Sequence, residues 1–110
     1  MNKYESVIII RPLLTEDETK ETINRYKKMY ENFSNRPVEV EDLGKKKLAY
    51  EIQGNKEGHY VIFNFYAKSE DISEVERNYR IDDNVMKFIT VRQEMEAEDN
   101  PEVVEDDMEM

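Results

Sequence analysis

The segment His59 to Ala67 constrains this chain more than any other. It alternates strictly, with Val61, Phe63 and Phe65 on one side and Tyr60, Ile62 and Tyr66 on the other. That is the two-residue period of an extended strand. Because both sides are apolar or aromatic, the strand belongs in the middle of a sheet, with cover on its faces. Lys3 to Arg11 makes a similar demand: Ser6, Ile8 and Ile10 lie on one side and Val7 and Ile9 on the other, and both sides become apolar toward the end. Pro12 has no N–H to donate and stops that ladder. The rest of the chain has to supply the elements that flank these two central strands.

Between them lies Thr15-Glu16-Asp17-Glu18, a capping box in which the threonine hydroxyl takes a free backbone N–H and Glu18 reaches back. The helix it opens presents Thr19, Thr22, Ile23, Tyr26, Met29, Tyr30 and Phe33 at spacings of three and four, a single buried face. Glu21, Arg25, Lys28 and Glu31 fall on its solvated face, and Asn35-Arg36-Pro37 ends it. A strand pattern then runs through Val38 and Val40 and resumes at Leu48, Tyr50 and Ile52, interrupted by Gly44, which marks a bulge. Lys45, Lys46 and Lys47 follow the kink. Lysines there either protect a sheet edge or grip phosphates, and spacing leaves both readings open.

Gln53 to Gly58 is expected to be a turn in which Gly54 and Gly58 take positive φ. After Ala67, Ser69 or Asp71 caps a shorter helix burying Ile72, Val75 and Tyr79; Asp82-Asp83-Asn84 turns the chain into a last strand, Val85 to Arg92. The order β-α-β-β-α-β, with the most apolar strands first and third, predicts an α+β, ferredoxin-like fold. Its four-stranded antiparallel sheet is ordered 4-1-3-2, with both helices on one face.

Charge divides the chain in two. Residues 1–92 hold all 16 Lys and Arg against 17 Asp and Glu, a net −1, whereas residues 93–110 hold 9 acids and no base. The overall −10 therefore belongs to the tail and does not argue against a nucleic-acid partner for the rest. Residues 1–94 are expected to form one domain, and 95–110, acidic and without periodicity, a disordered tail. With no Cys there is neither disulfide nor thiolate zinc site. The longest aliphatic run, Val7 to Ile10, is too short for a membrane span, so a cytoplasmic chain is expected.

Catalysis finds little support. His59, the only histidine, sits at a strand end with no nucleophile or paired ligand near it in sequence, and the three glycines form no phosphate-binding loop. Neither an enzyme nor a cofactor, metal or small-molecule substrate is expected. A face of the sheet free of helices remains. Tyr60 and Tyr66 on it permit base stacking, as in RNA-recognition-motif domains, but Val7 and Ile9 stand where the first strand of such a domain offers an aromatic ring. A mostly aliphatic face that includes Ile9, Tyr60 and Ile62 is better suited to docking a protein.

Gly44 to Ile52, a glycine, a basic run and then Leu-Ala-Tyr-x-Ile, resembles the signature of the bacterial small-subunit ribosomal protein six family. Tyr4-Glu5, Glu41-Asp42-Leu43, Gly58 before aromatics and Arg80-Ile81-x-Asp83-Asn84-Val85 extend the resemblance over residues 1–92, in order. Glu51 stands where many members have Pro, and residues 93–110 match no fixed motif. The resemblance implies the same ferredoxin-like fold and a structural role on the ribosome without catalysis. It also implies binding to the central domain of small-subunit ribosomal RNA as a heterodimer with small-subunit ribosomal protein eighteen. The positions it assigns to RNA contact are Arg80, Lys87 and Arg92, with Lys45, Lys46 and Lys47 as secondary candidates.

Overall fold

The computed structural model describes residues 1–94, and the tail 95–110, expected to be disordered, lies outside the described residues. The elements are β1 (Asn2–Ile10), α1 (Glu16–Ser34), β2 (Glu39–Ile52), β3 (Asn55–Ala67), α2 (Ser69–Ile81) and β4 (Val85–Gln93). All pairings are antiparallel and the sheet order is β2-β3-β1-β4. This is the expected ferredoxin-like arrangement, read from the opposite edge.

The capping box at Thr15 forms in full: Glu18 N donates to Thr15 Oγ1 at 3.1 Å and Thr15 N to Glu18 Oε1 at 2.9 Å. These bonds, the backbone N–H of Thr15 first, hold the Glu18 carboxyl below its ordinary value. Asn35 ends α1 in the left-handed conformation at φ 58°. The second helix begins differently from expectation. Lys68 occupies its cap position and Ser69 is the first helical residue, because the chain leaves β3 extended straight into the helix. Asp71 still completes half of a box by accepting from Lys68 N at 3.0 Å.

Both helices cover one face of the sheet, where aromatic rings fill the space. Tyr30 lies flat on Phe65, centroids 4.1 Å apart, and meets Phe63 edge-on at 5.1 Å. Tyr26 joins them to Tyr79 at 4.9 Å. Fully burying each such ring contributes about 1.5–3 kcal/mol. Polar groups in this layer are mostly paired: Ser6 Oγ bonds the Tyr79 hydroxyl at 2.8 Å and Thr90 Oγ1 at 3.0 Å. The Tyr30 hydroxyl and Arg11 Nε are buried with no partner among the described residues.

Asp82 ties the end of α2 to α1. Its carboxylate accepts from Arg25, from the Tyr26 hydroxyl at 2.6 Å and from Asn84 N at 2.9 Å. Asn84 in turn takes Arg11 N on its carbonyl at 2.9 Å and Arg11 Nη2 on its side chain at 3.2 Å. The Asp82-Asp83-Asn84 turn is thus fastened to both the β1–α1 connection and α1.

The loop expected over Gln53 to Gly58 is much shorter. Only Gln53 and Gly54 turn, at φ 51° and 80°, and β3 already begins at Asn55. Positive φ at both central residues matches the twist of a two-residue hairpin. Gly58 therefore has another reason to be glycine. A Cβ there would lie 2.3 Å from Ile9 Cγ2, so the position admits no side chain beside β1.

Candidate protein and nucleic-acid interface

The face without helices is built from the other half of each strand's alternation. Pairing in register aligns Ile89, Val7 and Ile62 in one row and Lys87, Ile9 and Tyr60 in the next. Ile89 is 58% exposed and Val91, two residues along the edge strand, 43%. Both are aliphatic, and neither is among the docking residues expected from the sequence. Their signal was the alternation of Phe88 with Ile89 in a strand whose other side had to meet the core.

Ile9 turns out differently from its assignment as a docking residue. It is only 7% exposed, because Gly58 lets β3 close over it and Leu48 and Met86 flank the same spot. Ile9 is a foundation of this face and not part of its surface. Tyr60 and Ile62 are half-buried and remain on it.

Two irregularities shape the margin. Near Gly44, Leu43 is an extra residue between the pairs Asp42–Val61 and Gly44–Tyr60, and Gly44 adopts φ 73°, as its position predicted. Asp42 Oδ1 accepts from Gly44 N at 3.0 Å and lies 2.5 Å from His59 Nε2. The single histidine thus braces the bulge. Further on, Leu48 to Glu51 stand between the pairs Lys47–Glu57 and Ile52–Asn55, four residues against Lys56 alone. This surplus bends the β2–β3 hairpin, which runs past the end of β1 as an arm. On β4, Met86 is likewise the extra residue between Val85 and Lys87.

The bent arm reaches the far edge strand. Lys87 Nζ donates to the Tyr50 hydroxyl at 2.7 Å and lies 5.2 Å from the centre of that ring. The hydrogen bond to Tyr50 raises the pKa of Lys87 above its ordinary value, so the ammonium stays charged. Tyr50 itself is 62% exposed.

The six basic candidates do not form one patch. Arg80 is exposed in the last turn of α2, on the helix side, with its guanidinium carbon 5.7 Å from the centre of the Phe88 ring. Lys87 is on the open face, and Arg92 lies five residues along β4, roughly 17 Å away. Lys45 pairs with His59, Lys46 with Gly58 and Lys47 with Glu57, at the root of the arm, and all three are exposed. Among the described residues no cluster of metal-binding side chains occurs, and no helix is long and apolar enough to cross a membrane.

A sequence profile described as ribosomal protein S6 matches residues 3–92. The chain belongs to the ribosomal protein S6 family. It is 40% identical over 94 residues to small ribosomal subunit protein bS6 of Nitratiruptor sp., covering 86% of this chain and 73% of that one. For bS6 of Shouchella clausii the identity is also 40%, with coverage of 86% and 99%. The crystal structure of 30S ribosomal protein S6 from Thermotoga maritima superposes with a TM-score of 0.77 at 29% identity, covering 99% of this chain and 98% of the other. An Arabidopsis thaliana protein at 10% identity and a TM-score of 0.54 shares the fold alone.

Membership makes this S6-family chain a structural component of the small ribosomal subunit, not an enzyme, and its place in the cell is the ribosome, in the cytoplasm. The signature Gly44 to Ile52 coincides with the arm: Gly44 is its bulge, the lysines its root and Tyr50 the residue that meets β4.

Proposed function

We propose that the chain binds the central domain of small-subunit ribosomal RNA together with small-subunit ribosomal protein eighteen, which docks on the open face of the sheet. The observation that carries this reading is the apolar strip formed by exposed Ile89 and Val91 with half-buried Ile62 and Tyr60 beside them. Apolar surface of this kind is what a protein partner covers. Residues 1–92 carry a net charge of only −1, so a basic partner supplies most of the attraction for phosphate. Lys87, Arg80, Arg92 and the lysines of the arm add contacts that position the pair without reading sequence.

Base stacking on Tyr60 and Tyr66 is the competing reading. Arg36 weakens it, because its guanidinium carbon lies 3.8 Å from the centre of the Tyr66 ring and occupies a face that a base needs. The test is a titration of labelled central-domain RNA with the chain alone and then with its partner. Weak binding alone and tight binding by the pair is the expected outcome, with Ile62→Asp abolishing the heterodimer by burying an unpaired charge. Tight binding by the chain alone, lost by about 1–3 kcal/mol in Tyr60→Ala, would overturn docking in favour of stacking.

A further inference from the structure

Tyr50 has no role in the reading above, yet it is the most exposed aromatic ring among the described residues and its hydroxyl holds Lys87. The core does not need this ring; the bulge of four residues against one carries it across to the opposite edge strand. Lys87 has three N–H donors, and the Tyr50 hydroxyl takes one of them. The other two remain for an anion, beside a ring that is 62% exposed. The arm that carries the ring holds four lysines, Lys45, Lys46, Lys47 and Lys56, against Glu51 and Glu57, so its surroundings favour phosphate.

We propose that Tyr50 and Lys87 act together as a clamp for one unpaired nucleotide, the base stacking on the Tyr50 ring and its phosphate taken by the Lys87 ammonium. This rests on the RNA-binding reading and adds to it a site at which single-stranded RNA, not a duplex, is held. A base stacks on any aromatic face, so the clamp discriminates unpaired from paired nucleotides without selecting a sequence. Tyr50 also positions Lys87, since its hydroxyl fixes where the ammonium points.

The chain contains no Trp, so Tyr50→Trp installs a single fluorophore at the clamp. With the partner protein bound, adding central-domain RNA is expected to quench that fluorescence, while the partner alone leaves it unchanged. Tyr50→Ala is expected to weaken binding of RNA by the pair roughly 5- to 150-fold, with Tyr50→Phe retaining most of the affinity because the ring stays. Lys87→Met should lower the slope of log affinity against log salt by about 0.7, one single-stranded phosphate. A spectral shift with the partner alone would assign Tyr50 to the protein interface and overturn the clamp. So would full affinity in Tyr50→Ala, or unquenched fluorescence from Tyr50→Trp in a complex that forms normally. Failure of the unaltered pair to bind RNA at all would overturn the RNA reading and the clamp with it.

Discussion

Tyr30 and Tyr79 are both wholly buried, and only one of them has a partner for its hydroxyl. Their replacement by Phe should therefore have opposite signs. Tyr30→Phe removes a buried polar atom with nothing to bond and is expected to stabilise the fold by on the order of 1 kcal/mol. Tyr79→Phe takes a hydrogen bond from Ser6 and is expected to cost about 0.5–1.5 kcal/mol. Urea denaturation midpoints of the two variants decide this, and equal shifts in one direction would contradict the assignment of partners. Gly58 offers a sharper case at the same scale. Gly58→Ala drives a methyl into Ile9 Cγ2 and is expected to cost about 1–3 kcal/mol, as overpacking does. Adding Ile9→Ala removes the atom it strikes, so the double variant should lose less than the sum of the two singles.

Among the elements, α1 depends on its first turn. Thr15→Ala is expected to lower stability by about 1 kcal/mol, measured by thermal unfolding. The Glu18 half of the box gives the effect a pH dependence. Its carboxyl is lowered from 4.5 in the folded chain, so its contribution is complete above pH 4.5 and fades as the pH falls below that through the lowered value. The difference in stability between the chain and Glu18→Gln should be flat at neutral pH and shrink in acid. Every element was legible in the sequence, since hydrophobic period, a capping box and turn residues act within a few positions of one another. Legibility ended where a contact depends on how far a strand bends. Tyr50 and Lys87 are 37 residues apart and meet only because surplus residues in β2 curve the arm. Ile9 alternates as an outward residue should and is nonetheless covered, because a glycine on the neighbouring strand lets that strand approach. Arg80 and Lys87 are close in sequence but point to opposite sides of the sheet, which no local pattern encodes.

Across the whole molecule, charge and connectivity are unevenly distributed. Residues 95–110 hold eight acids and no base, and their removal changes the net charge from −10 to −2. That segment carries few apolar residues, and the shortened chain is expected to unfold within about 1 kcal/mol of the full one. Under the proposed binding to RNA and partner, that association should strengthen at low salt, and the gain should vanish as salt screens the difference. A loss of stability above that figure would mean that the tail packs on the domain. The sheet order has a consequence for how such a protein is made. Strands β2 and β3 are joined by two residues and can zip as soon as both exist, whereas β1 pairs with β4 through partners as distant as Lys3 and Gln93. During synthesis β1 emerges first, and its second partner comes last. Until then the aliphatic run Val7 to Ile10 borders an unpaired edge, the kind of surface on which growing chains aggregate. A chain stopped at Asp83 is expected to precipitate at concentrations where the complete one stays in solution, and a peptide spanning Val85 to Glu94 added in trans is expected to rescue it. Of the two edges of β1, the one that β4 closes thus stays open longer than the one that β3 closes.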